Sequence, residues 1–312
     1  QNPARATQPT NPASDLVHAL RRAVEKWYNS LHMVTRKLTY AMVGGAKGSF
    51  IGPIHRMAVR MDDLGDLVAG CFSRDAKTNA GSGEKFGLAP DRVYADWRKL
   101  IAAEAGKIDF LVICTTNETH YAIAKAALEA GIDVFCEKPL SLSVKEAESL
   151  GRIARRKRLL LGVPFTYTGY PMIKLARDLV RKGELGKIDK IVFEYVQGSF
   201  RKPDRRNGWK MDPKIAGPSC VVADIGVHAF NLIEYVTGLE VKEILADLSS
   251  FAPGNRLDDD ASILMHLGKP SSKGVSERSG TNEGTRLLSA HGRSLRVHRR
   301  RPSGERSQTN DT

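Results

Sequence analysis

The segment V-G-G-A-K-G-S-F-I-G-P-I-H, residues 43–55, separates a predicted strand at 38–43 from a predicted helix at 53–61. At such a junction, glycines let the backbone turn tightly. The helix N-terminus then offers free N–H groups and the positive end of its dipole to phosphates. The loop carries an expanded form of the strict G-x-G-x-x-G spacing, with glycines at Gly44, Gly45, Gly48 and Gly52. We therefore predict dinucleotide binding here, with an ordinary glycine turn as the alternative.

Short apolar runs and helical patterns alternate from this loop to Pro164. Further strands are predicted at 66–72, 92–94, 110–114, 132–136 and 159–163, and helices at 76–86, 118–130 and 143–157. This β-α-β-α order predicts an α/β domain over residues 37–164. We expect a Rossmann-type, doubly wound parallel sheet with helices on both faces.

After Pro164 the order of elements changes. Helices are predicted at 170–182 and 224–237, and strands at 190–196, 241–251 and 261–267, with a long polar loop before Asp224. This mixed order predicts an α+β domain over residues 165–268. About three strands are predicted for its sheet.

The two ends of the chain differ in composition from the rest. Residues 1–36 begin with a stretch rich in Asn, Pro, Gln and Thr, which predicts a leader or disordered extension, with an organelle transit peptide as the alternative. Residues 269–312 are rich in Ser, Gly and Arg without a period of 2 or 3.6, which predicts a basic disordered tail or a frameshifted coding end. The net charge of +13 therefore lies mostly at the ends.

Composition argues against several classes of protein. The 312 residues, 41% of them hydrophobic, are enough for about two folded domains. No apolar run approaches the roughly 20 residues of a membrane span, so no membrane partner is expected. Four scattered cysteines without a C-x-x-C pair favour a reducing, cytoplasmic location, and no metal site is predicted. The arginines at 299–301 lack interleaved aromatic residues, so we expect no nucleic-acid partner.

The end of the strand at 66–72 bears on cofactor choice. NAD-specific sites usually place an acidic residue there to bind the ribose 2′-hydroxyl group. Here Ser73 and Arg74 stand nearest to that position, and a hydroxyl with a guanidinium suits a 2′-phosphate. These residues favour NADP, while Asp75 keeps NAD open and Arg74 could be an ordinary solvated residue.

Polar residues also follow two neighbouring predicted strands. T-T-N-E-T-H (115–120) follows 110–114, and E-K-P (137–139) follows 132–136. Because the carboxyl ends of parallel strands meet at one edge of a sheet, these residues are expected to line the same crevice. The alternatives are that Asn117 or Thr119 only caps the next helix and that Lys138 is an ordinary surface lysine.

The motif D-I-G-V-H, residues 224–228, places Asp224 and His228 four residues apart. On a helix these two side chains share a face. An acid and an imidazole together can orient a hydroxyl group and accept its proton. The alternative is a helix-capping aspartate beside an incidental histidine.

Taken together, these motifs resemble the Gfo/Idh/MocA oxidoreductase family, which includes inositol dehydrogenases and glucose–fructose oxidoreductase. The resemblance runs from about residue 38 to 267. It is carried by I-G-P-I-H (51–55), T-N-E-T-H (116–120, with Thr116 at the usual proline), E-K-P, G-E-L-G-K-I (183–188) and D-I-G-V-H. The glycine loop and Y-T-G-Y-P (167–171) look like a sugar- or polyol-oxidising branch. The resemblance implies an NAD(P)-dependent dehydrogenase that acts on a secondary hydroxyl group of a small sugar or polyol.

The resemblance also implies residue roles. Lys138, Asp224 and His228 would form the catalytic set, with His228 as general acid/base. Tyr167, Trp209 and Lys210 would contact the substrate. The residues expected around NAD or NADP are Gly44, Gly45, Gly48, Phe50, Ile51, Ser73, Arg74, Thr115, Thr116, Asn117, His120, Glu137, Lys138 and Pro139.

The sequence departs from the family after Gly268. Family members continue through further apolar strands into a large open sheet that forms the subunit interface. The resemblance therefore implies an open sheet that is incomplete in this chain, and a homo-oligomer, a dimer or tetramer, as the assembly. A catalytically inactive dinucleotide-binding or regulatory homologue is the alternative function.

Overall fold

A five-stranded parallel sheet forms the first half of the protein. The computed structural model describes residues 36–198 and 208–270 and the backbone strands 285–289 and 294–299. The first sheet contains β1 (Leu38–Gly44), β2 (Gly65–Cys71), β3 (Phe110–Cys114), β4 (Asp133–Cys136) and β5 (Leu161–Gly162). Their order is β2-β1-β3-β4-β5, and every neighbouring pair is parallel. The predicted doubly wound sheet is confirmed, and the strand order reverses beside β1, which opens a crevice at the carboxyl ends.

Helices cover both faces of this sheet. They are α1 (Gly52–Arg60), α2 (Ala76–Lys85), α3 (Trp97–Glu104), α4 (Asn117–Glu129) and α5 (Val144–Lys157). The predicted cap of α5 is present, since Ser143 Oγ accepts a hydrogen bond from the Glu146 amide at 3.3 Å. Along β1, Ala41 and Val43 pack into one apolar cluster, and Tyr40 and Met42 pack into another. The central strand is therefore apolar on both faces, as expected for a sheet between two helical layers.

The region between β2 and β3 differs from the prediction. The strand expected at 92–94 is a short 3-10 turn, Pro90–Arg92, followed by a single parallel bridge between Val93 and Gly70. The side chains of Arg92 and Tyr94 both bind the buried Glu104 carboxylate. Glu104 ends α3, a helix of eight residues that was not predicted because it offers only two turns of periodicity.

A second sheet follows, in the order β10-β6-β9-β8-β7. Its strands are β6 (Ile188–Glu194), β7 (Glu240–Ser249), β8 (Asp260–Gly268), β9 (Thr285–Ser289) and β10 (Ser294–Arg299). The helices of this part are α6 (Pro171–Arg181), α7 (Pro213–Ala216) and α8 (Val227–Thr237), with a π-helical turn, Val222–Gly226, before α8. Apolar residues of β6, β8 and α8 form its core. The mixed α+β arrangement is as predicted.

This sheet extends beyond the point where the strand pattern was expected to end. β9 pairs antiparallel with β8, and β10 pairs antiparallel with β6. The prediction of a structureless tail from residue 269 is therefore wrong for these two segments. Each strand has only five or six residues, and β10 pairs with a strand about 100 residues earlier in the chain, so local periodicity does not reveal them. Residues 1–35 of the predicted leader at 1–36 lie outside the described residues, as do the tail residues other than 269–270 and these two strands.

Candidate active site

A cleft of about 910 Å³ lies between the carboxyl ends of β1–β4 and the segments 164–167 and 209–228. Its size is at the upper end of the range of ligand pockets, and it lies at the strand-order reversal where doubly wound sheets bind ligands. The residues predicted for the site that line it are Gly44, Phe50, Ile51, Ser73, Arg74, Thr115, Thr116, Asn117, His120, Glu137, Lys138, Pro139, Tyr167, Trp209, Lys210, Asp224 and His228. The structure thus brings together motifs that are far apart in the sequence.

Gly44 ends β1 and turns the chain with a φ angle of +79°. A Cβ atom at this position would lie 2.5 Å from Cys114 O and 2.9 Å from Thr115 N. These are backbone atoms at the end of β3, which cannot move aside as a side chain could. Glycine is therefore required here on two grounds, the left-handed φ angle and the close approach of β3.

The other predicted loop glycines have different surroundings. Gly45 is buried, and its carbonyl accepts a hydrogen bond from Arg56 Nη1 at 2.8 Å. A Cβ atom on Gly52 would lie 2.6 Å from Gly45 Cα, so the start of α1 packs directly on the loop. Gly48 lies in an exposed turn, and a Cβ there would have open space around it. Gly45 and Gly48 therefore belong to the loop but are not among the residues that line the cleft.

The N-terminus of α1 points to an anionic ligand. Ile51 occupies the N-cap position and makes no side-chain capping hydrogen bond, and the first turn of α1 has no acidic residue. The amide groups of a helix start need partners, and without a cap they are available to an anion. Phe50, which is 85% exposed, lies beside this helix start. The close-packed glycines and the uncapped helix start together fit a dinucleotide pyrophosphate.

The end of β2 places Ser73 and Arg74 in the cleft wall and directs Asp75 elsewhere. Asp75 Oδ1 accepts a hydrogen bond from the Thr78 amide at 2.7 Å and caps α2. Hydrogen bonding to Thr78 lowers the pKa of the Asp75 carboxyl. Arg74 is exposed and carries the basic charge at this end of the cleft.

Asn117 and His120 join the loops that surround the cleft. Asn117 Nδ2 donates to Ala216 O at 2.9 Å, which ties the start of α4 to the second half of the protein. The ring nitrogens of His120, which is 1% exposed, lie 2.8 Å from Pro139 O and 3.1 Å from Thr115 O. Both residues hold the walls of the cleft, and their contact with a cofactor stays a prediction.

The E-K-P segment is fixed by a histidine of α1. His55 Nε2 lies 2.7 Å from Glu137 Oε1, and both side chains are about nine-tenths buried. Glu137 Oε2 accepts a hydrogen bond from the Lys138 amide at 3.1 Å. The His55 ring also meets Phe135 of β4 edge to face. The helix that starts at the glycine loop is thereby linked to the residue next to Lys138.

Lys138 and Lys210 bind the two carboxylate oxygens of Asp224. Lys138 Nζ lies 2.7 Å from Oδ1, and Lys210 Nζ lies 2.8 Å from Oδ2. Burial opposes ionisation of Asp224, but the two ammonium charges outweigh it and hold the pKa of this carboxyl below its usual range. Asp224 is therefore ionised, and it holds the ammonium groups of Lys138 and Lys210, two residues that line the cleft.

Asp224 lies within the π-helical turn Val222–Gly226. Its backbone carbonyl accepts a second hydrogen bond from Lys138 Nζ at 2.8 Å. π-Helical turns are rare in proteins, and many of those that occur inside helices lie at functional sites. The expected pairing of Asp224 and His228 on one helix face is therefore modified, because a wider turn separates the two residues.

His228 is buried beside two aromatic rings. Its ring meets Tyr167 at a centroid distance of 4.8 Å and Phe165 at 5.9 Å. Burial, followed by the charge of Lys138, lowers the pKa of His228 to about 4. The imidazole is therefore neutral at pH 7 and can accept a proton. Its Nδ1 atom is buried without a hydrogen-bond partner in the described part of the chain.

The predicted substrate residues also line the cleft. Tyr167 and Tyr195 share a hydrogen bond of 2.7 Å between their hydroxyl groups. Trp209 is 37% exposed, and Lys210 Nζ lies 5.8 Å from the centre of its ring. Tyr167, Tyr195 and Trp209 all line the cleft, and we call these three side chains its aromatic wall.

Several residues at the site were not predicted. The pattern I-G-P-I-H contains His55 but predicts no role for it, although it comes three residues after Gly52, which packs on the loop. Tyr195 follows β6 directly, and polar residues at the end of a strand were the signal used for the first sheet. Other unpredicted residues of the cleft include Ser49, Gln197 and Ser219.

Two family models match the chain. One, described as an oxidoreductase family with an NAD-binding Rossmann fold, matches residues 38–165, and the other, the GFO/IDH/MocA C-terminal domain, matches residues 173–298. The chain belongs to the Gfo/Idh/MocA oxidoreductase family. The family resemblance and the NAD-binding fold expected from the sequence are thereby confirmed. The second match includes β9 and most of β10.

Individual proteins of similar sequence or structure have names that fit this family. An uncharacterized oxidoreductase, YfiI, of Bacillus subtilis is 34% identical over 250 residues, 76% of this chain and 63% of its own. Levoglucosan dehydrogenase of Pseudarthrobacter phenanthrenivorans is 30% identical over 68% of this chain and 54% of its own. An inositol dehydrogenase homolog of Azotobacter vinelandii was solved with NAD+ and with NADH and myo-inositol. The NAD+ complex has a TM-score of 0.77 and 34% identity and covers 86% of this chain and 70% of its own.

The chain thus spans less than two thirds of the length of these two curated relatives. Within the described ranges, no helix combines the length and the apolar character that a membrane crossing needs. Over the same ranges, His, Cys, Asp and Glu side chains form no group of three arranged to hold a metal ion.

Proposed function

We propose that this protein is an NAD(P)-dependent dehydrogenase that oxidises a secondary hydroxyl group of a sugar or polyol. The observation that carries the proposal is the arrangement of Lys138, Asp224 and His228 in the cleft beside the glycine loop. A neutral base and a directed ammonium group are the two functions that removal of a hydride from an alcohol requires of the protein.

The cleft is suited to a nicotinamide dinucleotide. Gly44 and Gly52 let the loop backbone come close to a ligand, and the uncapped start of α1 can bind its phosphates. A nicotinamide dinucleotide bound in this cleft would supply the acceptor for the hydride released from the carbinol carbon.

His228 is the group we assign to the hydroxyl proton. It is neutral at pH 7 because burial and the Lys138 charge lower its pKa to about 4. As the C–H bond of the substrate breaks, the O–H proton passes to the imidazole and the carbon–oxygen bond becomes a carbonyl. In the reverse direction the imidazolium returns this proton.

Lys138 is the group we assign to charge stabilisation. When the hydroxyl proton leaves, negative charge develops on the substrate oxygen, and a nearby ammonium lowers the energy of that state. Asp224 holds the Lys138 ammonium through its carboxylate and its backbone carbonyl. The ammonium is therefore oriented before the substrate binds, and no reorganisation is needed during the reaction.

A sugar or polyol suits the aromatic wall of the cleft. Tyr167 and Trp209 offer apolar ring surface for the C–H face of such a molecule, and Lys210 offers a hydrogen-bond donor for its hydroxyl groups. The names of the relatives support this class, since one acts on levoglucosan and a homolog was solved with myo-inositol.

Two observations bear on the cofactor, and they point in different directions. Ser73 and Arg74 at the end of β2 suit the 2′-phosphate of NADP, and Asp75 is engaged in capping α2. The inositol dehydrogenase homolog, however, was solved with NAD+ and NADH. We propose Arg74 as the residue that decides between the two cofactors, and its substitution is a direct test.

Two further features support the proposed setting of the enzyme. All four cysteines are free thiols, which suits the reducing conditions of the cytoplasm. On β7, Ile244, Leu245 and Leu248 are at least half exposed, and they could form the interface of a homo-oligomer. Light scattering after gel filtration would measure the subunit number.

The test of the function is a turnover screen of the full chain. Myo-inositol, levoglucosan, aldoses and other polyols are each offered with NAD+ and with NADP+, and reduced cofactor is followed by its absorbance. Turnover of one member, abolished in the His228→Ala variant, supports the proposal. Tight cofactor binding without turnover on any member would instead favour a catalytically inactive homologue.

A further inference from the structure

Asp258 is a carboxylate outside the cleft whose hydrogen bonds end on the segment that carries Asp224. It lies in the turn between β7 and β8 and is half-buried. Its Oδ1 atom accepts from the Cys220 amide at 2.8 Å. Its Oδ2 atom accepts from the Val221 amide at 2.9 Å, the Ser219 hydroxyl at 2.9 Å and the Val222 amide at 3.2 Å.

The three amide groups among these donors, those of residues 220–222, are the first of the helix that continues through the π-helical turn into α8. A helix start leaves its first N–H groups without intrahelical partners, and a negative charge there is favourable. The usual cap is the preceding residue of the same helix. Here the main cap is the carboxylate of Asp258. Ser219 Oγ adds one local cap, since it accepts a hydrogen bond from the Val222 amide at 3.1 Å.

The position of this helix start decides where Asp224 lies. The Asp224 amide donates to Cys220 O at 2.9 Å, so the residue bound by Asp258 is one turn before Asp224. Asp224 in turn presents its carboxylate and its carbonyl to Lys138. A shift of the first turn would therefore move both acceptors of the Lys138 ammonium together.

We infer that Asp258 is a positioning residue for the reaction. By capping residues 220–222 it holds the π-helical turn in the place where Asp224 can orient Lys138. This inference rests on the proposed function for its kinetic consequence, but its structural consequence can be measured without substrate.

The adjacent Asp259 provides a matched control. Its carboxylate accepts from the amides of Phe251 and Ala252 at 2.9 and 2.8 Å, and from Asn255 Nδ2 at 2.8 Å. Asp259 is thus also a half-buried carboxylate that caps backbone amides, but its bonds stay within the turn between β7 and β8. Loss of either carboxylate removes a similar amount of local hydrogen bonding.

The first measurement is chemical labelling of lysines by acetic anhydride, followed by mass spectrometry, on the full chain without substrate. The Lys138 ammonium is held by two acceptors and its side chain is 16% exposed, so it should react slowly. We expect faster labelling of Lys138 in Asp258→Ala, a smaller increase in Asp258→Asn, and no change in Asp259→Ala. The exposed Lys174 serves as an internal reference in each variant.

The second measurement is steady-state kinetics with a substrate found in the screen. Asp258→Ala should lower kcat by about ten- to a hundredfold, the scale of misplacing a reacting group, with partial rescue in Asp258→Asn. NADH affinity should stay unchanged, because the glycine loop belongs to the first sheet. Asp259→Ala should keep kcat within about twofold, which corresponds to about 0.4 kcal/mol of activation free energy.

The outcomes separate this inference from the proposed function. Unchanged Lys138 labelling in the Asp258 variants would overturn the inference, whether or not the enzyme turns over. Faster labelling in a protein without turnover would support the positioning role and count against the dehydrogenase proposal. If Asp258→Ala does not fold, Asp258→Asn decides alone, by the same comparison of labelling at Lys138 and Lys174.

Discussion

Lys138 Nζ donates to Asp224 twice, to the side-chain Oδ1 at 2.7 Å and to the backbone carbonyl at 2.8 Å. The two residues are 86 positions apart in the sequence. Lys138 belongs to the part of the protein with the first sheet, and Asp224 belongs to the part with the second sheet. An ammonium held by two acceptors has its direction fixed before a ligand arrives. This contact joins the predicted cofactor side of the cleft to the predicted substrate side.

Replacing Lys138 should remove the charge that stabilises the developing alkoxide. We expect Lys138→Ala to lower kcat by about 10²- to 10³-fold, the range measured when one such group is lost. The matched control is Lys174→Ala on α6, where the lysine is exposed, and it should keep the wild-type kcat. Initial rates at saturating cofactor measure both. Full activity in Lys138→Ala would refute the assigned role.

The pH dependence should report the low pKa of His228. A base works when it is deprotonated, so activity is lost as the pH falls through the pKa of that base. An ordinary histidine would lose its function near pH 6.5, whereas burial and the Lys138 charge place this pKa at about 4. We therefore expect kcat/KM for alcohol oxidation to lack an acidic limb near pH 6.5. A limb at that pH that disappears in His228→Ala would contradict the low pKa while still identifying His228 as the base, whereas a limb that persists in His228→Ala would belong to another group.

The His228→Ala variant should separate chemistry from cofactor binding. Loss of a positioned general base typically costs about 10²- to 10⁴-fold in rate. Cofactor affinity should survive, because His228 lies beside Phe165 and Tyr167 rather than beside the glycine loop. Fluorescence titration with NADH measures the affinity, and turnover in the same preparation measures the rate. Loss of both together would indicate a structural role.

Arg74→Ala should distinguish the two cofactors. If the guanidinium binds a 2′-phosphate, its removal weakens NADPH binding by about tenfold or more, as expected for a lost charge-assisted hydrogen bond. NADH has no phosphate at that position and should bind with unchanged affinity. Equal effects on both Kd values would remove the argument for NADP. Arg98→Ala, an exposed arginine on α3, provides the charge-matched control.

Gly44 and Gly48 should respond very differently to alanine. At Gly44 the new Cβ would meet β3 backbone atoms at 2.5 Å, and the φ angle of +79° adds strain. We expect a loss of about 2–5 kcal/mol in the free energy of unfolding from the two effects together. At Gly48, where the Cβ has open space, only the strain of about 1–2 kcal/mol applies. Urea unfolding of the two alanine variants tests the contrast.

The buried His55–Glu137 pair should contribute more to stability than a similar pair on the surface. His55→Ala leaves a buried carboxylate oxygen without its partner, which costs about 1–3 kcal/mol. His266 and Glu243 form a pair with the same 2.7 Å separation, but both side chains are exposed, so His266→Ala should cost less than about 1 kcal/mol. Equal losses in urea unfolding would show that burial of the first pair has no energetic consequence. His55→Gln, which keeps a donor, should recover part of the loss.

The doubly wound sheet could be predicted because its signals are local. The apolar run 110–114 coincides with β3, and the glycine loop lies between β1 and α1 as expected. The predicted strand at 92–94 is different, since Arg92 and Tyr94 bind Glu104 of a helix that follows them. A run of three residues has no period of its own, so the neighbouring helix decided its structure.

The candidate site was predictable as a set of residue types and chain positions. E-K-P follows β4, so its side chains were expected at the carboxyl edge of the sheet. D-I-G-V-H covers part of the π-helical turn and the start of α8, and its spacing predicts only that two side chains share a helix face. Periodicity is a property of neighbouring residues and carries no information on contacts across 86 positions. The link between Lys138 and Asp224 was therefore expected only from the family resemblance.

What the tertiary structure alone decided is the electrostatic state of these groups and the way they are held. The pKa of His228 depends on burial under Phe165 and Tyr167 and on the distance to a charge from the other half of the chain. The capping of residues 220–222 by Asp258 depends on the turn between two strands of the second sheet. Both are sums of interactions over space rather than along the sequence, and only the folded chain brings their members within a few ångströms of each other.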